Sequence, residues 1–162
     1  MTQLDDLGSG LGALLKTRQQ TVAVAESSTG GLISAALLAV PGASAYFLGG
    51  GVIYTAPART GLLGIGAAEM DGMRSSSEPY ALLMAHTVRD RLGAAWGLAE
   101  TGATGPTGNR YGDAPGHSCI AVVGTTEEVI TLETGKDGRE DNMWAFARAA
   151  LELLEKTVRD NT

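Results

Sequence analysis

Residues 21–31 read Thr-Val-Ala-Val-Ala-Glu-Ser-Ser-Thr-Gly-Gly, and this stretch indicates the class of fold. Its apolar start, residues 21–25, predicts a buried strand, and the Ala/Leu-rich residues 31–40 predict a helix. A polar turn between a strand and a helix is a common ligand site in α/β proteins. Its side chains are of the types that supply a nucleophile and polar anchors, and the N–H groups that begin the helix can hold an oxyanion or a phosphate. The alternative is that its Ser and Thr residues only cap the helix.

Strands and helices alternate along the rest of the chain. Apolar periodicity predicts helices at 3–18, at 57–63, from a cap at Ser76 or Ser77 to Leu92, and at 139–158. Apolar runs predict strands at 46–55 and 95–101, then a hairpin of 119–123 with 129–133. The hairpin implies one antiparallel strand in an otherwise parallel sheet. We therefore predict a single α/β domain over residues 1–162, a three-layer α/β/α sandwich on a mixed, mostly parallel sheet.

Composition excludes several classes of function. The chain has 162 residues, with 12 Lys and Arg against 18 Asp and Glu, and its net charge of −6 argues against nucleic-acid binding. A single cysteine, Cys119, excludes an intrachain disulfide, and with two histidines it does not make a usual structural zinc site. Residues 27–58 carry no charge, but Pro41-Gly42 and Gly49-Gly50-Gly51 interrupt them, which argues against a membrane span. The N-terminus lacks the pattern of a signal peptide, so we expect a cytoplasmic protein.

A second segment concentrates unusual residues. Residues 101–108 read Thr-Gly-Ala-Thr-Gly-Pro-Thr-Gly, and Arg110 follows shortly. Such a loop can turn successive N–H groups toward an anion, to which an arginine adds a charge-assisted contact. The sequence is neither a Walker loop nor the dinucleotide fingerprint. An ordinary surface loop is the alternative, but the sixteen residues from 101 to 116 are long for a loop without function.

Several motifs together resemble a known family. They occupy residues 25–31, 41–47, 50–54, 62–64 and 101–106, in this order. The chain resembles the CinA family over about residues 10–158, in particular its C-terminal domain, the nicotinamide mononucleotide deamidase. The N-terminal molybdopterin-binding-like domain of longer members is missing, so we expect the stand-alone form. The resemblance implies a five-stranded mixed sheet between helical layers, hydrolysis of nicotinamide mononucleotide to nicotinic acid mononucleotide and ammonia, no metal or other cofactor, and a dimer.

The resemblance also implies roles for individual residues. Ser27, rather than Ser28, corresponds to the nucleophile, with Tyr54 as its polar partner and Thr101 in the same pocket. Arg59 stands at the position of the family's catalytic Lys. The substrate-binding positions implied are Glu26, Ser28, Thr29, Gly30, Gly102, Gly105, Arg110 and Arg139.

The chain departs from the family pattern at this supposed site. Ser28 replaces a Cys, Arg59 replaces the Lys, Met143 replaces an Arg, and residues 114–116 lack the Lys of Lys-Pro-Val-Gly. A guanidinium stays protonated, so Arg59 cannot serve as the base as a Lys can. Three hypotheses remain: a slow amidase that uses another base, Tyr54 being the nearest; a nucleotide-binding protein without catalysis; or a hydrolase of another small amide.

Overall fold

Five strands form one sheet in the computed structural model, which describes residues 2–161. They are β1 Val22–Glu26, β2 Phe47–Val52, β3 Trp96–Ala103, β4 His117–Val123 and β5 Glu127–Glu133, in the spatial order β2-β1-β3-β4-β5. β1 pairs in parallel with both β2 and β3, whereas β4 pairs antiparallel with β3 and β5. The predicted mixed sheet is confirmed, and β4 is the strand that runs against the other four.

Helices cover both faces of this sheet. They are α1 Gln3–Arg18, α2 Leu32–Leu38, α3 Ala56–Leu63, α4 Glu78–Leu92 and α5 Arg139–Asp160. α1, α2 and α5 pack together on one face, and α3 and α4 lie on the other, which confirms the three layers. Of the two serines predicted to cap α4, Ser77 does so, through a hydrogen bond from the Tyr80 N–H. Within residues 2–161, no helix is long and apolar enough to cross a membrane.

The two faces of the sheet carry side chains of different size. Large residues such as Trp96, Leu98 and Ile120 face α1, α2 and α5, whereas mostly small ones face α4. Gly97 lies under α4, where an added Cβ would collide with the carbonyl oxygen of Ala85. The helix backbone therefore lies directly on β3, and the residues that precede α4 reach the carboxyl end of the parallel strands.

Several boundaries differ from the sequence prediction, among them those of the hairpin strands, which begin at His117 and Glu127 rather than at 119 and 129. β3 continues to Ala103 because Thr101 and Gly102 pair with Cys119 and Ser118 of β4, so the glycine-rich loop begins at residue 104. β2 ends at Val52 rather than at residue 55, because Thr55 already caps α3.

Candidate functional site

A cavity of about 350 Å³ lies where the carboxyl ends of β1 and β3 meet. We call it the Ser27 cavity. It brings together six of the predicted site residues, namely Ser27, Tyr54, Arg59, Thr101, Gly102 and Arg110. Other lining residues are Ile53, Thr55, Ala56, Ser75, Ser76, Tyr80, Asn109 and Tyr111. The two segments selected from the sequence therefore meet in space.

A second cavity of about 180 Å³ adjoins the first, and Tyr54, Gly102 and Asn109 line both. We call it the glycine-loop cavity, since residues 103–105, Thr107 and Gly108 form much of its wall, together with Ser28 and Arg139. Among the described residues, no protein group accepts a hydrogen bond from the amides of Gly105, Thr107 and Gly108. Such unpaired amides suit a ligand with anionic oxygens.

Two arginines make the Ser27 cavity cationic. The Arg59 guanidinium lies 5.8 Å from the centre of the Tyr80 ring, and its buried Nε has no acceptor among residues 2–161. Arg110 donates to the Tyr111 hydroxyl at 3.1 Å. The lining includes no Asp, Glu, Lys or His. A protein with a net charge of −6 thus holds a cavity whose charged side chains are positive, and this arrangement favours an anionic ligand.

Three phenols also face the Ser27 cavity, in different surroundings. Arg139 donates to the Tyr54 hydroxyl at 3.2 Å and to the carbonyl oxygen of Gly105 at 2.5 Å. Burial raises the pKa of Tyr80, although Arg59 opposes the effect. The hydrogen bond from Arg110 lowers the pKa of Tyr111.

The turn after β1 differs from its predicted role. The Glu26 carboxylate accepts hydrogen bonds from the N–H groups of Gly31, Ile33 and Ser34, at 2.9–3.1 Å. The prediction that the start of α2 binds an oxyanion or a phosphate is therefore wrong, because Glu26 occupies those donors. Glu26 and Thr29 are fully buried and line neither cavity, so we correct their assignment as substrate-binding residues. Gly30 is exposed and also lies outside both cavities.

Glu100 is a buried carboxyl group that the sequence analysis missed. It accepts hydrogen bonds from the N–H groups of Ser27 and Thr29, at 3.0 and 2.9 Å, and it contacts the Ser28 hydroxyl. Burial raises the pKa of Glu100, although these hydrogen bonds oppose the effect. The available signal was a carboxyl residue in an otherwise apolar strand, one residue before Thr101. Tyr80 and Tyr111 were also missed as cavity residues.

A buried histidine anchors the loop that carries Arg110 and Tyr111. His117 contacts the Glu133 carboxylate through Nδ1 at 2.5 Å and the Ser76 carbonyl oxygen through Nε2 at 2.8 Å. Burial lowers the pKa of His117, but these hydrogen bonds and the nearby Asp113 outweigh it and raise the value. Thr101 in turn accepts a hydrogen bond from the Ser76 N–H at 3.1 Å. His117 thus has a structural role and does not face a ligand.

Fold and cavity together define a class, an α/β protein with a cationic cavity at the carboxyl ends of its parallel strands. Within residues 2–161, no group of three or more His, Cys, Asp and Glu side chains is placed to hold a metal. The chain belongs to the CinA C-terminal domain family, whose family model matches residues 4–158.

Similar proteins support this assignment. A CinA-like protein of Gloeobacter violaceus is 40% identical over 156 residues, which is 95% of this chain and 37% of that protein. One of Thermosynechococcus vestitus is 37% identical, over 97% of this chain and 38% of its own length. The chain therefore spans little more than a third of these relatives.

Solved structures agree with the fold. The competence/damage inducible protein CihA of Agrobacterium tumefaciens is 30% identical, covers 98% of this chain and 97% of its own, and superposes with a TM-score of 0.88. A competence damage-inducible protein A of Klebsiella pneumoniae reaches a TM-score of 0.91, over 98% of this chain and 99% of its own, at 24% identity. At that identity, the second likeness concerns the fold alone.

Proposed function

We propose that the chain hydrolyses the carboxamide of nicotinamide mononucleotide, giving nicotinic acid mononucleotide and ammonia. The observation that carries the proposal is the position of Ser27 in a cavity with Arg59, Arg110 and no acidic side chain. The adjoining glycine-loop cavity, with its unpaired amides and Arg139, suits the phosphate of the substrate. Membership of the CinA family and the resemblance of the motifs support the same reaction.

In the proposed reaction, Ser27 Oγ attacks the amide carbon and a base takes its proton. Negative charge develops on the amide oxygen, to which the Arg59 guanidinium can donate. The C–N bond then breaks and the leaving nitrogen takes a proton, which releases ammonia. Water hydrolyses the resulting ester, so that the carboxylate leaves and Ser27 recovers its proton.

The base in this scheme is a phenol, and we assign it to Tyr54. Among residues 2–161, no imidazole, amine or carboxyl group lines the Ser27 cavity, whereas three tyrosines do. Phenols as a class are poor bases near neutral pH and become effective only toward alkaline pH. We therefore expect slow hydrolysis, with a rate that rises on the alkaline side.

A second candidate function is ligand binding without hydrolysis. The lack of a side chain in the Ser27 cavity that ordinarily acts as a base near neutral pH favours it. The departures from the family at Arg59 and Met143 also leave open another small amide as substrate. In all these cases we propose a cytoplasmic location and, from the resemblance alone, a dimer.

Ammonia release distinguishes these candidates. The wild type and Ser27→Ala are incubated with nicotinamide mononucleotide between about pH 7 and pH 10, a range that approaches the ordinary phenol pKa. The proposed amidase releases ammonia in the wild type alone, faster as the pH rises. Binding of the nucleotide without release of ammonia supports the second candidate. Equal release by Ser27→Ala and the wild type would overturn the assignment of the nucleophile.

A further inference from the structure

Two buried carboxyl groups lie beneath the Ser27 turn and share one hydroxyl. Glu26 and Glu100 are both fully buried, and Thr29 Oγ1 lies 2.7 Å from Oε1 of Glu26 and 2.8 Å from Oε1 of Glu100. A hydroxyl has a single hydrogen, which serves one of these acceptors at a time. Within residues 2–161, no Lys, Arg or His forms an ion pair with either group. Ionising two such buried neighbours together is costly, which favours a proton on one of them.

The hydrogen bonds identify which group holds it. Glu26 accepts three backbone N–H groups where α2 begins, and the helix dipole there favours a negative charge. Oε1 of Glu100 likewise accepts backbone N–H groups, from Ser27 and Thr29. Among residues 2–161, the one hydrogen-bond partner of Glu100 Oε2 is the Ser28 hydroxyl, which can accept as well as donate. The proton therefore has one suitable position, on Oε2 of Glu100. Burial also favours the protonated form of Glu100, because it raises the pKa of this carboxyl group.

We propose that Glu100 is held protonated and donates from Oε2 to Ser28 Oγ, so that Ser28 directs its own hydroxyl hydrogen to a ligand in the glycine-loop cavity. Ser28 and Arg139 line that cavity together with the loop residues whose amides have no partner among residues 2–161, so several donors are available to a ligand there. The ligand group they fit is an anionic oxygen such as that of a phosphate. The identity of the ligand rests on the function proposed above. Glu100 is a positioning residue in this scheme, because it acts through Ser28.

An ionised Glu100 would have the opposite effect. It would accept the hydrogen of Ser28, and the two would resemble a nucleophile with its base. Glu100→Gln separates the two cases. The amide oxygen of Gln can accept from Ser27 and Thr29, while its NH₂ group donates to Ser28, so Gln reproduces the protonated acid but not the ionised one.

Two measurements without ligand test the protonation. Infrared spectra of the wild type near neutral pH should show the carbonyl band of a protonated carboxyl group, shifted in D₂O and missing in Glu100→Gln. Because the pKa of Glu100 is raised in the folded protein, the wild type loses stability as the pH rises above the pKa of an unfolded Glu, about 4.3. The Tm of Glu100→Gln should therefore exceed that of the wild type by an amount that grows by about 4 °C or more from about pH 5 to pH 8.

The exposed Glu152 provides the control, and Glu152→Gln should change neither the infrared band nor the pH dependence of the Tm. If the wild type lacks the band near neutral pH, or if Glu100→Gln lowers the Tm at every pH, the proposal is wrong.

Titration with nicotinamide mononucleotide tests the effect on Ser28. Ser28→Ala should weaken binding roughly tenfold, the worth of one hydrogen bond to a charged group. Glu100→Leu should weaken it as much, and Glu100→Gln should restore it to within about twofold, since Gln still donates to Ser28. Binding by Glu100→Gln as weak as that of Glu100→Leu would overturn the proposal. If the wild type does not bind the nucleotide, the proposed function fails, and the infrared band and the Tm still decide the state of Glu100.

Discussion

Replacing Arg59 by Met should raise the stability of the folded protein but lower its affinity for the nucleotide. The buried Nε of Arg59 has no acceptor among the described residues, and an unsatisfied buried donor costs about 1–3 kcal/mol. Met keeps an unbranched apolar chain and removes the donor. The same change loses the contact of the guanidinium with the Tyr80 ring, worth about 0.5–1 kcal/mol. The midpoints of these two ranges leave a gain of about 1 kcal/mol, or roughly 2–4 °C in Tm for a chain of this length.

The effect of Arg59→Met on binding has the opposite sign. If Arg59 contacts an oxygen of the bound ligand, its removal loses a charge-assisted hydrogen bond of about 1.5–3 kcal/mol. The Kd for nicotinamide mononucleotide should then rise roughly 10- to 150-fold. Thermal unfolding and isothermal titration measure the two effects on one sample.

Arg148→Met is the matched control for this prediction. Arg148 lies on the exposed side of α5, so its replacement makes the same change of charge away from both cavities. We expect neither a gain in Tm nor a loss of affinity from it. A loss of more than about 1 kcal/mol of stability in Arg59→Met, with unchanged affinity, would show that Arg59 is a structural residue.

Three further predictions concern the walls of the site. His117→Gln should destabilise the protein at acid pH, because the pKa of His117 is raised in the folded state. The protonated His117 stabilises the fold fully below the pKa of an unfolded His, about 6.5, and this contribution is lost as the pH rises through the pKa of the folded state. Urea unfolding at several pH values measures the effect. Gly102→Ala should lower the Tm, because its Cβ would collide with the His117 carbonyl, at a cost of about 1–3 kcal/mol. Arg110→Ala should reduce the salt dependence of nucleotide binding in titrations at two ionic strengths.

The three layers of the fold, and the closeness of residues 21–31 to residues 101–108, could be predicted because both follow from the spacing of apolar residues along the chain. Apolar runs at the strands and glycine-marked turns define the sheet and place Ser27 near Thr101. The long apolar segment from residue 27 to 58 was correctly assigned to short elements of an α/β domain, since its glycines interrupt it.

What could not be predicted depends on the partners of individual side chains. Glu26 is the last residue of β1, where a catalytic or binding residue would lie, yet its buried carboxylate accepts the N–H groups at the start of α2. The closeness of Arg139 to Tyr54 joins residues 85 positions apart, which no local pattern reveals. Glu100 was missed because a single carboxyl residue near a strand end gives no sign, in sequence alone, of whether it faces solvent or the core.

We propose that the two cavities form one site for a phosphorylated ligand, and titration with two matched ligands tests this claim. Nicotinamide mononucleotide and nicotinamide riboside differ only in the phosphate. We expect the mononucleotide to bind at least about tenfold more tightly, because the glycine-loop amides and Arg139 then have an anionic partner, and to lose this advantage as salt is added. Equal affinity of the two ligands at low salt would contradict the claim.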